Sequence, residues 1–353
     1  MSRHEAGRQA GSVLLRRIRW GTSGAEVFLL QQPGGATVAT KVTRNPRIRS
    51  SAQAQRRDVM ARHLPAHTPA VLATASEAAL DVIVTAAPAT WTLDEAVDRH
   101  GPTAHLFAVW SDVVASLTDM WRATARPGFD PRQATRNHDL RCRRGVGGLD
   151  FALTDAFGAP ASWSSLVVNG IHVGSWSDVL DQLLALGDPT VHVTCHGDPH
   201  PGNVLVGADG SWHLVDWEWS GTYHDWRMMV SHLVGSWYIR DLIDTASGTT
   251  TATPTGLALD YAPCDTPRLR QFGAPAAEAF RQMTTPARAH QDLSDVARHV
   301  ALLLLREIPR AAQANRHHLI APLLGDCIRL ATCNHVGHPA LRPIAASIPA
   351  AAN

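Results

Sequence analysis

Four polar side chains lie close together in the segment His196-Gly197-Asp198-Pro199-His200-Pro201-Gly202-Asn203, and a further acid, Asp216, follows a short way on. Phosphoryl transfer asks for this kind of equipment: cations on the phosphates, a hydroxyl held in line, and a base beside that hydroxyl. Asp198 on a loop can orient an acceptor hydroxyl and take its proton, and Asn203 can bind a metal ion through its amide oxygen. The runs Asn203 to Val206 and Trp212 to Val215 read as strands joined by the turn Gly207-Ala208-Asp209-Gly210. A hairpin begins and ends side by side, so Asp216 returns next to Asn203 and the two can share a magnesium ion.

A cation is also in place. Of the 32 basic residues, Lys41 is the only lysine. A compact ammonium on a flexible stem reaches a phosphate in a way a forked guanidinium does not, so a lone lysine marks a position where arginine would not serve. The elements around it read as a small sheet. Val13 to Ile18 and Ala25 to Gln31 are strands separated by Trp20-Gly21-Thr22-Ser23-Gly24, and Pro33-Gly34-Gly35 turns into a third strand, Ala36 to Val42, that carries Lys41. A helix is predicted from Ser50-Ser51 to about Leu64, then a strand at Val82 to Val84. From Thr92 the apolar period lengthens: Leu106, Val109, Trp110, Val113, Leu117 and Trp121 fall at helical spacing, as do Leu293, Val296, Val300, Leu303 and Leu304. Val179 to Leu186, the stretch beyond Trp226, and Leu319 to Leu330 also read as helices. Ser247 to Pro267, rich in Thr and Pro, reads as an irregular and mobile loop.

The combination of His196-Gly-Asp198, Asn203, a hairpin and then Asp216-Trp217-Glu218 resembles the signature of the aminoglycoside phosphotransferase and choline kinase family. That resemblance implies an α+β, two-lobed protein-kinase-like fold, with a small β-rich N-terminal lobe at 1–87 that binds nucleotide. A larger, mainly helical lobe at 88–353 would carry catalysis and the acceptor. It implies that Asp198 is the catalytic aspartate, that Asn203 and Asp216 are Mg2+ ligands, and that His196 and Asp225 are structural. Val38-Ala39-Thr40-Lys41 looks like the strand motif whose lysine holds the α- and β-phosphates of ATP or GTP. Gly21 and Gly24 would form a phosphate-covering turn, and Thr85 to Ala87 a hinge whose backbone meets the purine. One position departs from the family. The lysine is normally held by a Glu on the next helix, and here that helix offers only Asp58.

Composition narrows the reading. A formal net charge of +1 supplies no field for steering onto nucleic acid, and Arg141 to Arg144 read as solvated surface. The longest purely aliphatic run, Val300 to Leu305, is far short of a membrane span, and no export signal is evident, so a cytoplasmic location is expected. Cys142, Cys195, Cys264, Cys327 and Cys333 form no CxxC pair and read as reduced thiols. His192, Cys195, His196 and His200 lack the second spaced pair that a zinc site needs. A protein kinase would carry His-Arg-Asp, Asp-Phe-Gly and a long activation segment, none of which is present, and a hydrolase of the G-x-S-x-G type is equally excluded.

The acceptor expected is therefore a small molecule: an antibiotic or similar natural product, with a primary-metabolism alcohol such as choline, homoserine or a sugar as the alternative. A nucleotide-binding pseudokinase is the remaining reading, and the presence of all four catalytic groups weighs against it. From Trp217 onward eleven acids face twelve arginines, which does not suit a polycationic aminoglycoside. Trp219, Tyr223, Trp226 and Trp237 could stack on a ring of the acceptor, or serve as core.

Overall fold

A computed structural model describes residues 11–18, 25–46, 48–130, 163–332 and 337–348. Cys142, Cys333, the Arg141–Arg144 run and the Trp20–Gly24 turn lie outside the described residues. The chain forms two compact units, one made of Met1–Thr124 with Thr194–Thr222, the other of Ala125–Val193 with Tyr223–Asn353.

The first unit is built on a five-stranded antiparallel sheet of β1 (Val13–Ile18), β2 (Glu26–Gln31), β3 (Thr37–Arg44), β4 (Val71–Glu77) and β5 (Leu80–Ala86), in the order β1-β2-β3-β5-β4. Burial alternates along β5, with Asp81, Ile83 and Thr85 turned inward. The Asp81 carboxylate receives the Ser50 backbone N–H at 2.7 Å and so meets the positive end of α1 (Ser50–Ala61). Helix α2 (Leu93–His100) starts from a capping box between Thr92 and Glu95, and α3 (Ala104–Thr124) buries the tryptophans that the spacing placed on one face, Trp110 and Trp121. A second small sheet pairs Val204–Val206 with Trp212–Leu214 on one side and with β6 (Trp91–Thr92) on the other. Its hairpin is anchored by Trp212, which donates from its indole to Asp112 at 2.6 Å and stacks on His67 with ring centroids 3.6 Å apart.

The second unit is mainly helical. Helices Trp226–Thr245, Ala289–Gln313 and Ile320–Ala331 are buried along most of their length and form its core with Pro267–Met283. Trp226 and Trp237 are core residues, which removes them as stacking faces, and Tyr223 stacks between Phe129 and His192. The stretch expected to be an irregular loop is instead a hairpin, Gly248–Ala252 with Gly256–Tyr261. Its second strand runs parallel to Ser165–Val168, which in turn pairs with Ile171–Gly174. Thr249 to Thr251 are β-branched and suit a pleat, while Leu257, Leu259 and Tyr261 alternate inward and supply the apolar face that holds the sheet. Cys195, Cys264 and Cys327 are buried thiols. No described helix is long and apolar enough to cross a membrane.

Candidate functional site

Lys41 extends from β3, where it lies in register between Val27 of β2 and Ile83 of β5. Its Nζ is 2.6 Å from Asp216 Oδ1 and 3.8 Å from Glu218 Oε2. Asp216 stands two residues beyond the end of the second hairpin strand and precedes the 3-10 turn Trp217–Trp219, with φ 67° and ψ 67°. Left-handed backbone at a residue with a Cβ is costly, and Asp tolerates it better than most. That conformation at the end of a strand turns the carboxylate back to the lysine.

Asp198 is held by the residues around it. The Asn203 side-chain N–H2 donates to the Asp198 carbonyl at 3.0 Å, and the Asn203 carbonyl receives the Val215 N–H at 3.0 Å, which locks the loop to the hairpin that delivers Asp216. His196 is fully buried and donates from Nε2 to the Val215 carbonyl at 2.9 Å, while its own carbonyl receives the Ser220 hydroxyl at 3.0 Å. Burial keeps this imidazole below its ordinary pKa, against the pull of the Asp198 and Asp216 carboxylates, so at neutral pH it is an uncharged strut. His200 accepts the Gly202 N–H on Nδ1 at 3.1 Å, and its Nε2 stands 3.9 Å from Asp198 Oδ2.

Gly197 explains why these two loops can approach so closely. It has φ 84°, and a Cβ there would lie 2.2 Å from the Trp219 carbonyl oxygen. Gly197→Ala is therefore expected to cost on the order of 3 kcal/mol, from backbone strain and overpacking together, and to displace Asp198. Urea denaturation of the variant checks the first effect and its residual activity the second.

The donor set suits a hard divalent ion. Because Asn203 spends its amide nitrogen on the Asp198 carbonyl, its Oδ1 is left to act as a ligand, and the Asp216 carboxylate is 40% exposed. An amide oxygen and a carboxylate, with the other positions left to water and phosphate oxygens, match what Mg2+ prefers. Among the described residues no three His, Cys, Asp or Glu side chains gather to hold a metal.

Other expected site residues fall elsewhere. Asp58 does not hold Lys41. It lies on the solvent side of α1 with its side chain 64% exposed and pairs with Arg57 at 3.1 Å. Thr85 lies within β5 opposite Ala39, and the N–H groups of Ala86 and Ala87 are spent on the carbonyls of Ala70 and Thr37. The strand thus runs on into the expected hinge, and Pro88 after it has no N–H to offer. Gly21 and Gly24 lie outside the described residues. Asp225 belongs to the second unit, where it caps helix Trp226–Thr245 and binds the Arg227 guanidinium through both carboxylate oxygens. Arg227 is fully buried and also meets Asp292, Asp295 and the Gly187 carbonyl. Burial alone would raise the Asp225 carboxyl, but Arg227 and His299 together hold it well below the usual carboxylate range. Glu218 is the residue of this site that the sequence did not single out, although it stands in the quoted Asp216-Trp217-Glu218 motif.

A family model described as the phosphotransferase enzyme family matches residues 15–224, more than half of the chain. No curated protein matches the sequence. Among solved structures, the chain is similar to an aminoglycoside-3'-phosphotransferase of type VIII, with 17% identity, a TM-score of 0.49, and 84% of this chain and 95% of that one covered. It is also similar to the aminoglycoside phosphotransferase APH(3'')-Id from Streptomyces rimosus, with 14% identity, a TM-score of 0.44, and coverage of 82% and 92%.

Proposed function

Since the chain belongs to the phosphotransferase enzyme family and is a kinase-like phosphotransferase with an alcohol group as acceptor, we propose that it moves the γ-phosphate of ATP or GTP to a hydroxyl of an antibiotic or similar natural product. The observation that carries this reading is the convergence of the chain's single lysine on Asp216, in the unit where Asn203 and Asp198 are bonded to each other. In this reading residues 1–87 bind the nucleotide and 88–353 supply the catalytic loop and the acceptor site, in the cytoplasm.

The geometry supports the following roles. Asp198 receives the proton of the acceptor hydroxyl and aims its oxygen at the γ-phosphorus, and Lys41 lies against the α- and β-phosphates. Asn203 and Asp216 would hold Mg2+, which when bound neutralises charge on the β- and γ-phosphate oxygens. His196 and Gly197 keep Asp198 at the distance set by the Trp217–Trp219 turn. Several carboxylates of the second unit that could attract a polycation are already engaged. Asp241 and Asp244 bind Arg268, Asp265 binds Arg342, Glu278 binds Arg281, and Glu307 binds Arg310. A neutral or anionic acceptor therefore fits better than an aminoglycoside.

Transfer from ATP and from GTP, with magnesium, to a panel of aminoglycosides, nucleoside and peptide antibiotics and metabolic alcohols, read by mass spectrometry, tests the proposal. One antibiotic or natural-product acceptor gaining a single phosphate supports it. Transfer confined to choline, homoserine or a sugar replaces it with a primary-metabolism kinase, and bound nucleotide with no acceptor phosphorylated points to a pseudokinase.

A further inference from the structure

A carboxylate that steadies the phosphate-binding lysine is missing from the helix after β3. The one acid of α1, Asp58, points into solvent and binds Arg57. What α1 contributes instead is a cation: the Arg56 guanidinium donates to the backbone carbonyl of Glu218. Two carboxylates then face Lys41 Nζ, and they differ in freedom. Asp216, at 2.6 Å, has a side chain 40% exposed, whereas Glu218, at 3.8 Å, is 11% exposed. The backbone under Glu218 is fixed as well. Trp217 is buried, the Ser220 N–H closes the turn on the Trp217 carbonyl at 3.1 Å, the Ser220 hydroxyl binds the His196 carbonyl, and Trp219 abuts Gly197.

We propose that Glu218 is the positioning residue of Lys41: it holds the ammonium in place when Asp216 turns outward to a metal ion, and α1 acts on the lysine indirectly, through Arg56 and the Glu218 backbone. The inference rests on the site assignment made under the proposed function. A carboxylate that shares its oxygens with a metal ion grips a lysine less firmly, and a partly exposed side chain is the one free to change partners. A buried carboxylate on a braced turn is the one suited to keep the lysine fixed. In effect the ion pair that the helix normally supplies has moved to the segment after the hairpin, and the helix reaches that segment with the opposite charge.

Because Lys41 is the only lysine, an amine-reactive reagent followed by peptide mass mapping, which sets the α-amino terminus apart, reads this side chain on full-length protein. In wild type, ATP in the absence of magnesium and Mg-ATP should both protect Lys41 from labelling. With magnesium added, when Asp216 is drawn to the metal, Glu218→Gln is expected to label about tenfold faster than wild type, as loss of a charge-assisted contact implies, and to need more Mg-ATP for protection. Without metal Asp216 still holds the lysine and the rates stay close. Glu218→Asp, which keeps the carboxylate but shortens it, should fall between the two and serves as the reading should Glu218→Gln not fold. Asp216→Asn should lose the added protection that magnesium brings while keeping protection by ATP alone. Wild-type labelling rates in both Glu218 variants with magnesium present, and ATP still protecting wild type, would overturn the positioning role and leave the kinase site standing. Failure of ATP to protect wild type at all would overturn the site assignment itself.

Discussion

Asp198→Asn should lower phosphate transfer by about 10²- to 10⁴-fold, the usual contribution of a positioned general base, while nucleotide affinity stays near that of wild type. The variant keeps the backbone bonds that fix the loop, because Asn203 binds the Asp198 carbonyl and not its side chain, and His196 grips Val215. Lys41, Asp216 and Glu218, the groups placed on the nucleotide side, are untouched. The change thus separates proton acceptance from loop architecture. Steady-state kinetics with an identified acceptor, beside nucleotide titration and far-ultraviolet circular dichroism, check it. Transfer at near wild-type rate would mean that the hydroxyl is activated by another group.

Arg227→Met should act on stability rather than on chemistry. Arg227 is wholly buried among Asp225, Asp292 and Asp295, and removing it leaves carboxylates in the core without their cation, a change that typically costs about 3–5 kcal/mol. For a unit of this size that corresponds to a fall in melting temperature on the order of 10 °C. The pH dependence follows from the direction of the Asp225 shift. Its folded-state pKa is depressed, so its contribution is complete above the unfolded value of about 4 and is lost as pH falls toward the folded one. In the variant that carboxyl no longer gains from ionisation. The gap between wild type and variant should therefore be widest near neutrality and narrow once pH drops below about 4. Thermal denaturation across that range measures it, and a constant gap would show that Arg227 acts by packing alone.

The candidate catalytic loop was legible because its geometry is local. Asp198, Asn203 and Asp216 are brought together by a short loop and a tight hairpin, both written in Gly, Asn and Asp residues, and Lys41 announced itself by being the only one of its kind. Helices with regular apolar spacing were legible for the same reason, as with α3. What escaped depends on partners far along the chain. Strand β4 exposes six of its seven residues and so shows no apolar alternation, existing only because β5 lies beside it. The Gly248–Tyr261 hairpin needs Ser165–Val168 from a distant part of the sequence. The lysine's second carboxylate was sought on α1, where family habit places it, and a single solvent-facing Asp58 gave no sign that Glu218 stands in its place. Asp225 could be named as structural, but the buried arginine it serves became visible only in three dimensions.

The discontinuity of the first unit bears on how the protein is made. Its early part ends at Thr124, and its remaining piece begins at Thr194, so a ribosome must add residues 125–193 before that piece appears. At about 5–20 residues per second the nascent chain spends several seconds in this state. Throughout that time β6 lacks the strand Val204–Val206 that it pairs with, and His67 lacks Trp212. The nascent N-terminal portion then shows an unpaired strand and an unfilled aromatic stack, features that invite chaperones or aggregation. Slow codons placed after the hairpin would leave it time to dock, whereas the same codons within 125–193 would prolong the exposure.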